Sequence, residues 1–229
     1  MTEKNPDELT ARLLAAAGDH PDAHLPPGLR TPLRPELVDR TDEEKIAAIA
    51  KHFRAIMLEL GLDLDDDSLA GTPQRVAKMF VKEWFEGLHP ANRPEVRLFA
   101  NRYQYQQLLV ERDITVFSCC EHHFVPIVGK AHVAYLPGEH VVGLSKLNRV
   151  VQYYARRPQV QERLTRQVAE HLRQSLGTPH VAVLIEADHL CVMSRGVNDT
   201  SSSTITSDYG GKFLEDSQLR NDFLRQIGK

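Results

Sequence analysis

Only three cysteines, Cys119, Cys120 and Cys191, and a single tryptophan occur in the 229 residues. So few thiols suit a reducing cytoplasm better than a disulfide framework. No apolar run approaches the ~20 residues that a bilayer-spanning helix needs. The opening MTEKNPDELTARLL lacks a basic stretch followed by an apolar core and a cleavage site, so no secretory signal and a cytoplasmic location are expected. Basic excess is missing as well. Against 31 Asp and Glu stand 28 Lys and Arg, a net charge of −3 without the positive footprint of a nucleic-acid binder. There is no internal repeat, no G-x-G-x-x-G and no Walker-type loop. The hydrophobic content of 41% is ordinary for a soluble globular protein, and the length allows one or two domains.

What is present concentrates in Cys119-Cys120-Glu121-His122-His123. Cys120 and His123 have C-x-x-H spacing, which lets a tight turn aim two soft ligands at one metal. Cys191 can add a second thiolate, and His189 lies on the same face if that segment is a strand. Two thiolates, an imidazole and an open fourth position describe a catalytic zinc site, because structural sites close all four positions with protein ligands. His122 is then a free imidazole placed to move protons. The competing reading is that of ordinary buried thiols and surface histidines, and Cys119 fits it better than a ligand position.

Residues 7–18 can form a short helix, followed by a stretch with Pro21, Pro26, Pro27, Pro32 and Pro35 that cannot continue one. Residues 1–40 are therefore expected to be a mobile arm, 41–93 a helical region, and 94–229 the catalytic domain. Ile46, Ile49, Phe53, Ile56, Met57 and Leu60 recur at helical steps with Gly61 as a stop, and Thr72-Pro73 should cap a second helix. Strands are expected over Leu108–Phe117, Phe124–Leu136 and Val181–Met193, with a further one within 200–207. Helices are expected at about 145–156 and 159–176, and another around Phe223 and Leu224. Strands separated by a helix pair make an α+β domain.

Ser145 is a plausible N-cap for a helix that begins with Lys146 and Arg149 on one face, a point charge and a planar fork suited to phosphate. Alone the pair also reads as a solvated basic face. Arg195, four residues past Cys191, would join the metal side if the strand continued that far. Glu162 can pair with Arg166 along the helix or accept two N–H bonds from a purine edge, and local sequence does not choose between them.

Taken together, CEHHFVPIVGK, VVGLSKLNRVVQYYARRPQVQERLT, HLCVMSRGV and the Ser/Thr tail ending in Gly210-Gly211 resemble the GTP cyclohydrolase I family over about residues 42–228. The resemblance implies Zn2+ held by Cys120, His123 and Cys191, with His122 and His189 catalytic. It implies Glu162 and Gln161 at the guanine, Ser145 near the ribose, and Lys146, Arg149 and Arg195 at the triphosphate. Cys119 departs from the family's small residues. The implied reaction opens the GTP imidazole ring by hydrolysis, releases formate and gives 7,8-dihydroneopterin triphosphate for folate or pterin synthesis. The implied fold is the tunnelling fold, an antiparallel sheet with paired helices whose barrel is completed in a homodecamer of two pentamers. The resemblance also places Glu162 on the neighbouring chain from the metal. A nucleobase deaminase would need H-x-E and P-C-x-x-C, which are absent. A non-catalytic, zinc-stabilised ring that binds nucleotide is the other alternative.

Overall fold

The computed structural model describes residues 20 and 22–229. The helix expected at 7–18 lies outside them. Thr41 starts helix α1 (Asp42–Glu59) with a reciprocal cap: its hydroxyl accepts the Glu44 N–H at 3.2 Å, and the Glu44 carboxylate accepts the Thr41 N–H at 2.8 Å. Of the apolar stripe on α1, Ile46 and Met57 are buried, whereas Ile56 is 52% and Leu60 71% exposed in the single chain. Helix α2 (Thr72–Met79) packs against α1. Gly71, and not Thr72, takes its N-cap position, and Pro73 is buried in the first turn. A π-helical turn at Phe80–Trp84 follows and sets Phe80, Trp84 and Phe85 against Phe117 and Phe124.

Short strands β1 (Leu98–Ala100) and β4 (His140–Val142) pair with each other. The main sheet contains β2 (Leu109–Cys120), β3 (Pro126–Tyr135), β5 (Pro158–Gln159), β6 (Val181–His189) and β7 (Thr204–Tyr209), in the order β5-β2-β3-β6-β7. Its pairs are antiparallel except β2–β5. Helices α3 (Leu144–Ala155) and α4 (Gln161–Leu176) cover one face. There Val150, Val151, Leu164, Val168 and Leu172 bury against Val116, Val133, Val183 and Ile185. Period-two alternation sends Ala134, Ala182 and Leu184 to the other face, under Phe213 and the C-terminal helix α5 (Ser217–Gln226), which contributes Phe223. This is the α+β arrangement of the tunnelling fold, with paired helices on an antiparallel sheet.

Two expectations need correction. The strand expected over Val181–Met193 ends at His189, and Leu190–Met193 is a helical turn. The arm expected over 1–40 is, at residues 22–31, part of the packed body. Leu25 and Leu29 are in the main core, and the carboxylate of Asp22, 0% exposed, accepts two bonds of 2.8 and 2.9 Å from Arg157, 1% exposed. Asp22 also accepts the Thr31 N–H at 3.0 Å, and Gln167 donates to the Leu29 carbonyl at 2.6 Å. Arg157 lies 4.3 and 4.7 Å from the ring centres of Tyr153 and Tyr154. Proline content signals non-helical backbone, but a burial partner 135 residues away leaves no local trace.

Burial raises the carboxyl pKa of Asp22, but the charge and hydrogen bonds of Arg157 and those from Thr31 outweigh it, leaving the pKa below its ordinary value. Asp22→Ala should strand a buried guanidinium and cost about 3–5 kcal/mol of unfolding free energy, with much of the loss recovered when Arg157→Met is added. Denaturant titration of both variants checks this. Burial, reinforced by Arg93, lowers His171 from 6.5 to about 3 and His24 to about 4. Both are neutral when folded, so the unfolded chain binds more protons between these values and 6.5. Thermal scans should show full stability above about pH 6.5 and progressive loss toward pH 4, with the slope reduced in a His24→Asn/His171→Asn variant.

Candidate metal centre

The chain turns back on Cys120 at the end of β2. Its N–H donates to the Val125 carbonyl at 2.8 Å, and its own carbonyl accepts from Phe124 at 2.8 Å and His123 at 3.4 Å. This places His123 Nδ1 3.7 Å and His122 Nδ1 3.9 Å from the Cys120 sulfur. The turn requires Phe124 at φ +55°, a conformation uncommon for a bulky residue, and its ring lies against Phe80 and Phe85. Strand register brings in the third ligand. Ile127 pairs with both Ser118 and His189, so β6 ends beside the turn and the following helical turn presents Cys191. Strand alternation does not deliver Cys191.

The ligand atoms of Cys120, His123 and Cys191 all lie within 4.8 Å of one another. Zn–S and Zn–N bonds of ~2.3 and ~2.0 Å at tetrahedral angles separate ligand atoms by roughly 3.5–3.8 Å, so the cluster closes on a cation with small adjustments. The donor set fits as well. Burial and the adjacent Cys120 sulfur push the Cys191 thiol above its ordinary pKa, and a divalent cation favours the thiolates instead. Cys119 lies outside the cluster, and burial takes its thiol up to about 12.

Four other expected residues gather at this end of the sheet. His122 is exposed beside the ligands. Arg195 Nη1 donates to His123 Nε2 at 2.7 Å, carried there by the loop after the helical turn; the neutral ring has one lone pair, so metal binding by His123 displaces this contact. His189, the last odd residue of β6, faces the helix layer, where its Nε2 is 2.7 Å from Gln161 Oε1. Burial holds His189 below the ordinary histidine pKa, partly offset by the nearby carboxylates of Glu162 and Asp188. Glu162 is exposed in the first turn of α4, next to Gln161, and so belongs to the metal side of its own chain. The resemblance puts Glu162 across a subunit boundary from the metal; within one chain its charge acts on His189, two residues before Cys191. Arg166 does not take Glu162 as its partner. It lies 3.9 Å from Asp208. Gln161 is buried, and its side chain turns inward.

Ser145, Lys146 and Arg149 are not in this group. Leu144 opens α3 and Gly143 takes the N-cap position, leaving Ser145 in the first turn. Lys146 and Arg149 line a cleft of about 420 Å³ with Asn92, Arg93 and Tyr153. Asn148 between them donates to Glu111 at 3.0 Å, near the start of β2, nine residues before Cys120. At ~3.3 Å per strand residue, and with α3 rising ~1.5 Å per residue toward β5, Lys146 stands roughly 20–30 Å from the metal ligands. That is further than the few bonds joining a purine C8 to its 5′-triphosphate can span. The convergence of three cations on the metal is therefore reduced to Arg195 within one chain.

Several supporting residues have no motif of their own. Gln159 in β5 accepts the Glu121 N–H at its carbonyl (3.0 Å) and the Arg163 Nε–H at its side chain (3.0 Å), and Arg163 pairs with Glu121. These contacts tie α4 to the metal turn. Their only sequence signal is polar residues among core positions.

Known proteins point the same way. Residues 49–228 match the family model described as GTP cyclohydrolase I. A GTP cyclohydrolase 1 of Flavobacterium johnsoniae is 55% identical over 206 residues, covering 90% of this chain and 92% of that protein. A GTP cyclohydrolase 1 of Salmonella gallinarum is 50% identical over 206 residues, covering 90% and 93%.

Cys191→Ser should lose bound divalent metal, with affinity falling by more than the roughly 10–100-fold that even outer partners of a ligand contribute. His122→Ala should retain it. Elemental analysis of the purified variants decides. Full occupancy in Cys191→Ser would remove that residue from the ligand set, and loss in His122→Ala would add His122 to it.

Proposed function

Because the chain belongs to the GTP cyclohydrolase I family, we infer that it is an enzyme of that activity, opening the imidazole ring of GTP by hydrolysis. C8 leaves as formate, and the remainder rearranges to 7,8-dihydroneopterin triphosphate. The observation that carries this reading is the Cys120–His123–Cys191 cluster with His122, His189 and Glu162 around it at one end of the sheet. We assign zinc to the cluster from its two thiolates and one imidazole. Zinc bound there supplies water with a pKa near 7 and a Lewis acid.

The chain's own groups do the rest. The Glu162 carboxylate offers two acceptors to adjacent N–H groups on the guanine edge and so orients the base. His122, exposed and not needed as a ligand, carries a proton to N7 as the ring opens. His189, tied to Gln161, serves the second hydrolytic step. Arg195 takes part of the phosphate charge, and Ser145, Lys146 and Arg149 hold ribose and triphosphate from a neighbouring chain, since their own metal end is out of reach. A homo-oligomer follows, a decamer of two pentamers in the family pattern. The open edge of β7, with Ile205 exposed, and the uncovered stripe of α1 support burial between chains. Among the described residues no helix is long and apolar enough to cross a membrane. We place the enzyme in the cytoplasm, without nucleic-acid partners, at the entry to folate or pterin synthesis.

Formate release from GTP by the zinc-loaded protein tests the activity. GTP binding without formate would leave a nucleotide-binding ring instead. Shared sites predict complementation: Cys191→Ala and Lys146→Ala, each inactive, should regain activity when unfolded together and reassembled. Cys191→Ala with Glu162→Ala should stay inactive, because both lesions fall on one chain's half of the site. Activity in the second mixture and none in the first, in confirmed hetero-oligomers, would reverse the assignment of Glu162.

A further inference from the structure

The buried amide of Gln161 has one orientation open to it. Its Nε2 lies 3.0 Å from the Ile185 carbonyl, 2.9 Å from the Thr204 carbonyl and 3.1 Å from Thr206 Oγ1. Backbone carbonyls only accept, so the NH2 group must face them and Oε1 must face His189. The surrounding hydroxyls have a defined direction too. Thr165 donates its single hydroxyl proton to the Gln161 carbonyl at 2.9 Å, so across the 2.7 Å Thr165–Thr206 contact Thr206 is the donor. A lone pair on Thr206 is thereby kept for the Gln161 NH2. Gln161 Oε1, which can only accept, meets His189 Nε2 at 2.7 Å. Nε2 therefore carries a proton whether the ring is neutral or charged, and the lone pair of the neutral ring resides on Nδ1.

We propose that Gln161, held by Thr206, is a positioning residue that fixes the ring orientation and tautomer of His189, and that its side chain does not contact the guanine. The inference rests on the reading above that His189 serves the reaction on GTP. The amide is 2% exposed and its NH2 is shared among three acceptors, leaving it no donor to offer a base. The network joins α4, β6 and β7, so the ring of His189 is referenced to the sheet itself. A ring free to rotate would present either nitrogen to the site. The tie to Gln161 presents Nδ1.

Solid-state NMR of the full-length, zinc-loaded protein labelled with 15N-histidine tests this, the His189 signals being assigned by their loss in His189→Gln. The wild type should show His189 with Nε2 protonated. Gln161→Met should give mixed tautomers and lower kcat by roughly ten- to a hundredfold, within the range of acid–base groups, while KM for GTP stays within about threefold. Thr206→Val should shift both readouts in the same direction and Thr206→Ser should restore them, which keeps the test open if Gln161→Met fails to fold. A bare Nε2 in the wild type would overturn the proposal. So would variants that raise KM while leaving kcat and the tautomer unchanged, since Gln161 would then be a guanine contact. Absence of GTP turnover in the wild type would sink the functional reading, while the nitrogen spectrum would still judge the tautomer.

Discussion

One backbone unit organises the site: the peptide groups of Cys120, which end β2, close the turn to Val125 and carry a metal ligand. Every other ligand is placed relative to it. His123 follows from the turn, and Cys191 from the register in which Ile127 faces Ser118 on one side and His189 on the other. A one-residue slip of β2 against β3 would turn Cys120 to the opposite face and dissolve the cluster. The bulge between Glu111 and Ile114, where Asp113 takes φ +59°, absorbs irregularity at the far end of β2. The metal end keeps an unbroken ladder.

The same ladder sets the electrostatics. Strand β5 is two residues long, yet its parallel pairing with Cys119 and Cys120 anchors the first turn of α4 beside the metal. Glu162 is therefore exposed there, with its charge close to His189. Gln161, on the inner side of the same turn, points into the sheet. Adjacent residues thus divide into one that is exposed and one that turns inward, a split that helical geometry produces whenever one residue of a pair faces the core.

Local patterns in the sequence identify what depends on local chemistry. C-x-x-H spacing, the helical stripe from Ile46 to Leu60 with its stop at Gly61 and the alternation in β6 all correspond to features found. Long-range consequences are not visible there. Cys191 reaches the metal through a helical turn, although alternation suggested a strand, because the strand's pairing partner β3 begins at Pro126 and gives no ladder beyond His189. Lys146 and Arg149 read as cations near the metal because sequence carries no measure of how far α3 begins from the end of β2. Residues 22–31 read as a loose arm because proline excludes helix but says nothing about burial. Their carboxylate is instead the counter-ion of a guanidinium that sits under two tyrosine rings.

Separating the metal end from Lys146 and Arg149 within one chain has a chemical consequence. A lone subunit presents the Cys120–His123–Cys191 cluster and Glu162 at one end of the sheet, while Lys146 and Arg149 line a separate cleft. If GTP binds as proposed, neither half can both hold it by charge and bring C8 to the cluster, and on that reading the orientation energy is available only where two chains meet. Apolar surface is left open on α1 and at the edge of β7, and the buried Asp22–Arg157 pair stiffens the segment leading into β5 and α4. In the proposed oligomer, burying that surface would also complete the proposed site.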